Sequence, residues 1–384
     1  MRRAAGPWLS GPAFDLPLVI LPGLLCALVA PLLPPGLGLS PLAFFFIVVL
    51  FDVGHVWATL ARLCTDRSPG ALARALGLPL AVVAVLVPLA LGCVALGAPA
   101  LYWRVLSYVA VFHFIRQQVG VAMLYRAAAG LSAGPAAAAE GRAHWALAGF
   151  PVLWWHVHLP RPFSWFHPDD FVPGLPALVL VPAGVVAAGL VADHLRHRIR
   201  EGGRSLGRDL WLLNTAAVWG LGIIGAGGDL AFTLPNVMHH AVPYLALVAL
   251  IEHRRAASGL PGAFPIRLVS GVGLVVLLGA AILFGVVEEA LWEVFVWGDH
   301  PTISGRVDPW AWLGGWLGAD GWLLVAEEGE PVPTASALAL ATALLSVPQV
   351  SHYLLDGLIW SGRRDPSVRR LLGADPPQAN GPGL

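Results

Sequence analysis

The sequence predicts an all-α polytopic membrane helix bundle, and three observations carry that reading. Of its 384 residues 57% are apolar and only 12% are charged, about half the charged fraction of a soluble domain. The charged residues gather in short clusters between apolar runs of about 20 residues, the length that crosses a bilayer. The basic residues, all arginine, fall in alternating loops rather than at random. These features exclude an ordinary soluble enzyme. Acidic and basic residues number 23 each, so the charge balance gives no reason to expect a nucleic-acid partner. Cys26, Cys64 and Cys93 lie within or at the ends of apolar segments, which indicates neither a disulfide framework nor a cysteine zinc site.

Ten apolar runs read as membrane helices, near residues 14–33, 39–63, 76–99, 101–126, 143–159, 172–195, 210–226, 228–251, 266–287 and 334–361. The first follows Arg2 and Arg3 and contains Pro17, Pro22 and Pro31; without a small-residue cleavage site it reads as a retained helix. The second contains FDVGHVWATL, with Asp52 and His55. The third is plain and apolar, and the fourth contains VFHFIRQQ, with His113, Arg116 and Gln117. The fifth ends in WWHVH, with His156 and His158 at headgroup level ahead of His167, Asp169 and Asp170. The sixth ends in DHLRHRIR, whose His194 and His197 read as part of a solvated, phospholipid-facing basic patch. The seventh holds GLGIIG; inside a membrane helix this means close packing of small residues, not a dinucleotide fingerprint. The eighth contains NVMHHAVPY, with Asn236, His239, His240 and Tyr244. The ninth is plain, and the tenth contains QVSHYLLDGLIW, with Gln349, His352, Tyr353 and Asp356.

Arginine placement tests the count, because loops kept on the cytoplasmic side carry excess positive charge. With both termini cytoplasmic, 19 of the 23 arginines fall inside, Arg104, Arg161 and Arg306 fall outside, and Arg116 sits within a helix. The expected location is a bacterial cytoplasmic membrane, with residues 1–361 as a single membrane domain. Residues 288–333 read as an external acidic loop, with a single Arg306 against nine carboxylates. Trp292, Trp297, Trp310, Trp312, Trp316 and Trp322 suit an interfacial hairpin or re-entrant piece there. Residues 362–384, rich in Arg, Pro and Gly, read as a disordered cytoplasmic tail.

An ionisable side chain inside a membrane costs about 2.5 to 3.5 kcal/mol, so each needs a partner or a purpose. Counting about 1.5 Å per residue from the cytoplasmic end of each helix puts His55, His113, His240 and His352 roughly 12, 20, 17 and 14 Å deep. They share one layer. Imidazoles projecting from facing helices are how bundles build metal sites in their cores. Each histidine has a polar companion three or four residues away: Asp52 with His55, Gln117 with His113, Asn236 with His239 or His240, and Asp356 with His352. Each pair therefore shares a helix face, and the companion could be a ligand or could accept the second ring N–H. A polar pathway for protons or ions and plain interhelical hydrogen bonding use the same residue types. Arg116, one turn from His113, would repel a bound cation if it entered the same cavity. Walker, GxSxG and HExxH sequences are absent, as is the multi-box histidine pattern of membrane fatty-acid desaturases.

The order of these motifs resembles the Brp/Blh family of integral membrane β-carotene 15,15′-dioxygenases. The resemblance rests on His55, on His113 with Phe114, on His239 and His240, and on Val347-Pro348 with His352 and Asp356. It covers four short stretches. Asp52 precedes the first histidine rather than following it, RQQ follows His-Phe in place of an acidic residue, and Gln349 follows Val-Pro in place of histidine. The resemblance implies histidine-bound iron and oxygen chemistry on an isoprenoid.

The resulting expectation is a His-ligated metalloenzyme, a non-haem iron oxygenase of a lipid or isoprenoid. His55, His113, His240 and His352 are its iron ligands, with His239 a fifth ligand or a support behind the ligands. Asp52 and Asp356 orient ligands, and Tyr244 or Tyr353 donates a proton. The expected partners are the lipid bilayer and a hydrophobic small molecule. The alternative expectation is a proton- or ion-coupled transporter that uses the same polar layer.

Overall fold

The computed structural model describes residues 6, 8–65, 71–131, 133–159, 161, 170–202, 205–225, 227–257, 271–298, 323–325 and 331–359. Helices dominate these residues. We number them α1 (Pro12–Leu32), α2 (Pro41–Phe44, Phe45–Val53 and Gly54–Thr65), α3 (Ala71–Ala95), α4 (Ala100–Ala128), α5 (Pro135–Val157) and α6 (Leu180–Glu201). After these come α7 (Leu206–Trp219), α8 (Asp229–Ala257), α9 (Gly271–Trp292), α10 (Ala335–Leu345) and α11 (Val347–Ile359). A small antiparallel hairpin, β1 (Leu323–Val325) with β2 (Pro331–Pro333), pairs Leu324 with Val332 within the segment expected to hold an interfacial hairpin.

Each apolar run read from the sequence contains helix among the described residues, although the run expected at 172–195 is not helical before Ala177. Among the described residues six stretches are long and apolar enough to cross a membrane: Pro12–Leu32, Pro41–Leu60, Leu76–Ala95, Ala177–Glu201, Asp229–Arg254 and Ala335–Asp356. This is the helix inventory of a membrane protein. On α6, Val181, Val185, Val186 and Ile199 are exposed; along a helix this apolar such a face suits lipid better than water. The tryptophans from Trp310 to Trp322, together with His167, Asp169 and the expected tail from 362 to 384, lie outside the described residues.

Local chemistry accounts for the helix ends. Ser40 caps α2, its Oγ accepting from Ala43 N at 3.2 Å ahead of Pro41 in the first turn. Thr334 does the same for α10 through Ala337 N. Where the sequence suggested one helix over 334–361, the structure has two. Pro348 lacks the amide needed to continue the ladder, so α10 stops at Leu345 and α11 restarts at Val347, with Ser346 Oγ donating to Thr342 O at 2.7 Å in between. Residues Phe45–Val53 of α2 are π-helical. Such wide turns are frequent at functional positions, and this one carries Asp52 and ends two residues before His55.

The chain divides into two compact units. The first comprises residues 1–52, 109–260 and 356–384. Its core packs Val19 and Ile20 of α1 with Val121, Ala122 and Tyr125 of α4, Trp211 of α7 and Leu247 of α8. Gly23 lets α1 pass close to α8, since a Cβ there would stand 2.7 Å from His239 Cβ. Gly222, in the π-helical turn Gly220–Ile224 after α7, lies where a Cβ would meet Pro235 Cγ at 3.1 Å. The GLGIIG glycine thus serves close packing. The second unit comprises residues 53–108 and 261–355. There Val82, Leu86, Ala90 and Cys93 of α3 pack with Tyr102 and Ala343. Trp57 of α2 stacks on Phe284 of α9 at 5.0 Å and donates its indole N–H to Glu288 Oε2 at 2.6 Å.

Candidate metal centre

The site begins with one turn of α2. Thr59 lies four residues after His55, so its hydroxyl reaches back to His55 O at 3.2 Å, the usual destination for a threonine inside a helix. The same oxygen lies 2.8 Å from His352 Nδ1. A hydroxyl has a single proton. If that proton lies on His55 O, the bond to His352 runs the other way, from Nδ1–H to Thr59 Oγ1. In that arrangement His352 carries its proton on Nδ1 and presents the Nε2 lone pair. That Nε2 faces His55 Nε2 at 3.0 Å, with the two rings edge to face at 4.6 Å. Both histidines are completely buried.

His113 of α4 and His240 of α8 form a second pair, with ring centroids 5.1 Å apart and planes at 85°. The His240 ring lies flat against Phe114 at 3.9 Å, and Gln117 Nε2 donates to His240 O at 2.8 Å. These contacts hold the imidazole by its face and its own peptide. Asp356 Oδ2 stands 3.6 Å from His113 Nε2, too far for a hydrogen bond but close enough for its charge to act on the ring.

One ring nitrogen from each of His55, His113, His240 and His352 lies within 4.8 Å of the others, and all four residues are buried. This group could hold a metal ion. The donor set fits: imidazole nitrogens bind transition metals at about 2.0–2.1 Å, so two nitrogens 3.0 Å apart have the spacing of adjacent ligands on one ion. Compared with protein-family models, curated proteins and solved structures, the chain matches none. The chemistry of the site therefore rests on its own residues.

The remaining expected site residues are placed as follows. His239 is not in the group: its ring packs against Trp211 at 4.3 Å and its Nε2 lies 3.5 Å from Thr215 Oγ1. Adjacent residues on a helix point about 100° apart, so His239 and His240 cannot share a target without distortion. Asp52 and Tyr244 are buried, and neither belongs to the four-residue group. Asp356 brings a carboxylate to 3.6 Å from one member of it, His113. Arg116 is exposed, so its charge is directed away from the buried histidines.

His156 and His158 donate to the carbonyls of Val152 and Trp154 in α5, and His156 is buried. His194, expected in a solvated patch, is instead 2% exposed. It lies on the face of α6 that packs against α5, whereas His197 stays near Asp193 at 3.8 Å. Sequence reading passed over Thr59. Its signal was the four-residue step from His55, which only the position of His352 makes meaningful.

Proposed function

We propose that the protein is an integral membrane metalloenzyme, a non-haem iron oxygenase acting on a lipid or isoprenoid, held in a bacterial cytoplasmic membrane by ten spans with both termini inside. The observation that carries this reading is the convergence of four buried imidazoles from α2, α4, α8 and α11. An iron ion held by imidazoles with open positions supplies oxygen activation. The protein's own residues do the rest. Thr59 holds His352 in the tautomer that leaves Nε2 available, Phe114 and Gln117 fix His240, and the Asp356 carboxylate balances positive charge near His113. Burial excludes water from the centre, which protects a reactive oxygen chemistry and suits an apolar substrate arriving from the bilayer. The resemblance to the β-carotene dioxygenases makes carotenoids the first substrates to offer. Elemental mass spectrometry of detergent-purified protein, beside a His240→Ala sample, tests the reading; iron lost in the variant supports it. Turnover of a carotenoid or unsaturated lipid under oxygen is the second step, and metal-free folded protein would refute both.

A second reading is supported by the broken helices. The π-helical stretch before His55 and the interruption at Ser346 before His352 resemble the discontinuous helices that place polar groups at a transporter's midplane. Under that reading, proteoliposomes should show proton- or ion-coupled flux that is lost in Asp356→Asn.

A further inference from the structure

The first unit holds a buried polar centre, apart from the four histidines, that the proposed chemistry leaves unused. Arg126 of α4, Glu140 of α5, Glu201 of α6 and Arg208 of α7 form a closed ring of alternating charge. Arg208 Nε donates to Glu140 Oε1 at 2.6 Å and its Nη1 to Glu201 Oε2 at 3.1 Å. Arg126 Nη1 donates to Glu140 Oε2 at 3.3 Å and to Glu201 Oε2 at 3.2 Å, and its Nη2 to Glu201 Oε1. Two cations and two anions cancel, which is the condition for keeping them inside.

The ring leaves several atoms beside it unsatisfied. Among the described residues, Arg208 Nη2, Ser205 Oγ, His144 Nε2 and His194 Nδ1 are buried without a hydrogen-bond partner, and their residues are 2%, 4%, 0% and 2% exposed. His144 and His194 lie within electrostatic reach of each other and of Arg208. Orphaned buried groups are uncommon, and each calls for a ligand or an ordered water. Their position is informative. Ser205 is the N-cap of the 14-residue α7, yet its side chain makes no capping bond, and the first amides of a helix have no carbonyl within it to bond. Arg208 is in the same first turn. Helix amides, a free hydroxyl and a free guanidinium N–H at one buried helix start form the donor set that takes an oxyanion. The nearby carboxylates are already engaged: Glu140 and Glu201 in the ring, and Asp209 by Arg198 at 2.7 Å. A second metal ion is disfavoured there, because the guanidinium and the positive end of the helix both repel it.

We propose that the N-terminus of α7 binds a phosphate-type oxyanion, held by Ser205 Oγ, the first-turn amides and Arg208 Nη2, with His144 and His194 lining the site. The ion is either free phosphate or the phosphodiester of an anionic lipid headgroup. Ser205→Ala is the decisive variant: it removes an unbonded hydroxyl and leaves the charged ring intact. Delipidated full-length protein is melted in sodium phosphate and in sodium chloride at matched ionic strength, and its lipid adducts are counted by native mass spectrometry with phosphatidylglycerol and with diacylglycerol. A phosphate-specific rise in melting temperature that needs about tenfold more phosphate in Ser205→Ala assigns the free ion. Phosphatidylglycerol adducts that fall in Ser205→Ala, with no effect of free phosphate, assign the lipid. No binding of either, or binding unchanged in the variant, overturns the proposal. Metal content of Ser205→Ala should equal that of the unaltered protein, which separates this site from the four-histidine group.

Discussion

His55 Nε2 and His352 Nε2 face each other at 3.0 Å although 297 residues separate them in the chain. When the Thr59 hydroxyl gives its proton to His55 O and accepts from His352 Nδ1, the His352 lone pair points at His55. Without an ion, His55 must turn an N–H toward it; with one, both lone pairs are directed at the metal. Replacing either histidine by alanine should therefore bring bound metal from stoichiometric to near background, read by elemental mass spectrometry on monodisperse protein. Full metal retention in both single variants would exclude the pair as ligands.

Thr59→Val tests the tautomer argument separately. Valine keeps the shape and removes the acceptor, so His352 loses what holds its proton on Nδ1 while every imidazole remains. Loss of a hydrogen-bonding support behind a metal ligand weakens affinity about 10- to 100-fold. Competition with a chelator of known affinity should show that drop for Thr59→Val and a much smaller one for Thr59→Ser. Equal affinity in all three proteins would mean that the hydroxyl plays no part in setting the site.

The helices and the histidine layer were legible in the sequence because both depend on local rules. A run of about 20 apolar residues has few alternatives to a membrane helix, and depth along a helix follows from its rise per residue. That arithmetic placed His55, His113, His240 and His352 at one level, and these four share the group. Direction around a helix was harder to read. His239 and His240 are equivalent by depth, yet only His240 joins the group, since neighbours on a helix point about 100° apart and depth does not say which of the two faces inward. The break at Ser346 was likewise hidden inside an apolar run, although Pro348 marked it. The burial of His194 depends on which face α6 turns toward α5, which composition alone does not specify.

The charged ring around Glu140 should govern stability rather than metal content. Glu140 accepts from both Arg126 and Arg208 and is 1% exposed. Glu140→Ala leaves two guanidinium groups buried with one shared anion, and breaking a buried pair in this way costs about 3–5 kcal/mol. Glu140→Gln keeps the shape and one acceptor oxygen and should cost less. Denaturant titration in detergent measures both. A cost below about 1 kcal/mol for Glu140→Ala would mean that water reaches the ring and screens it as it does at a surface.

Gly23 and Gly92 make a matched test of the close approach between α1 and α8. A Cβ on Gly23 would stand 2.7 Å from His239 Cβ, 2.9 Å from His239 Cα and 3.1 Å from Asn214 Oδ1, whereas one on Gly92 meets nothing within 4 Å. The first two contacts are with α8 itself, so no side-chain rotation relieves them and the helices must separate. Overpacking of this kind costs about 1–3 kcal/mol. In Gly92→Ala the added methyl group enters open space within α3 and lowers backbone freedom in the unfolded chain, a gain of about 0.5–1 kcal/mol. Gly23→Ala should also loosen the metal, because His239 and His240 share one stretch of backbone and a shift of the first moves the second. The expected pattern is a lower melting temperature with weaker metal retention for Gly23→Ala, against an unchanged or raised melting temperature with full metal for Gly92→Ala. Equal behaviour of the two variants would show that α1 does not press on α8 at His239, and the route from that contact to the metal would fall with it.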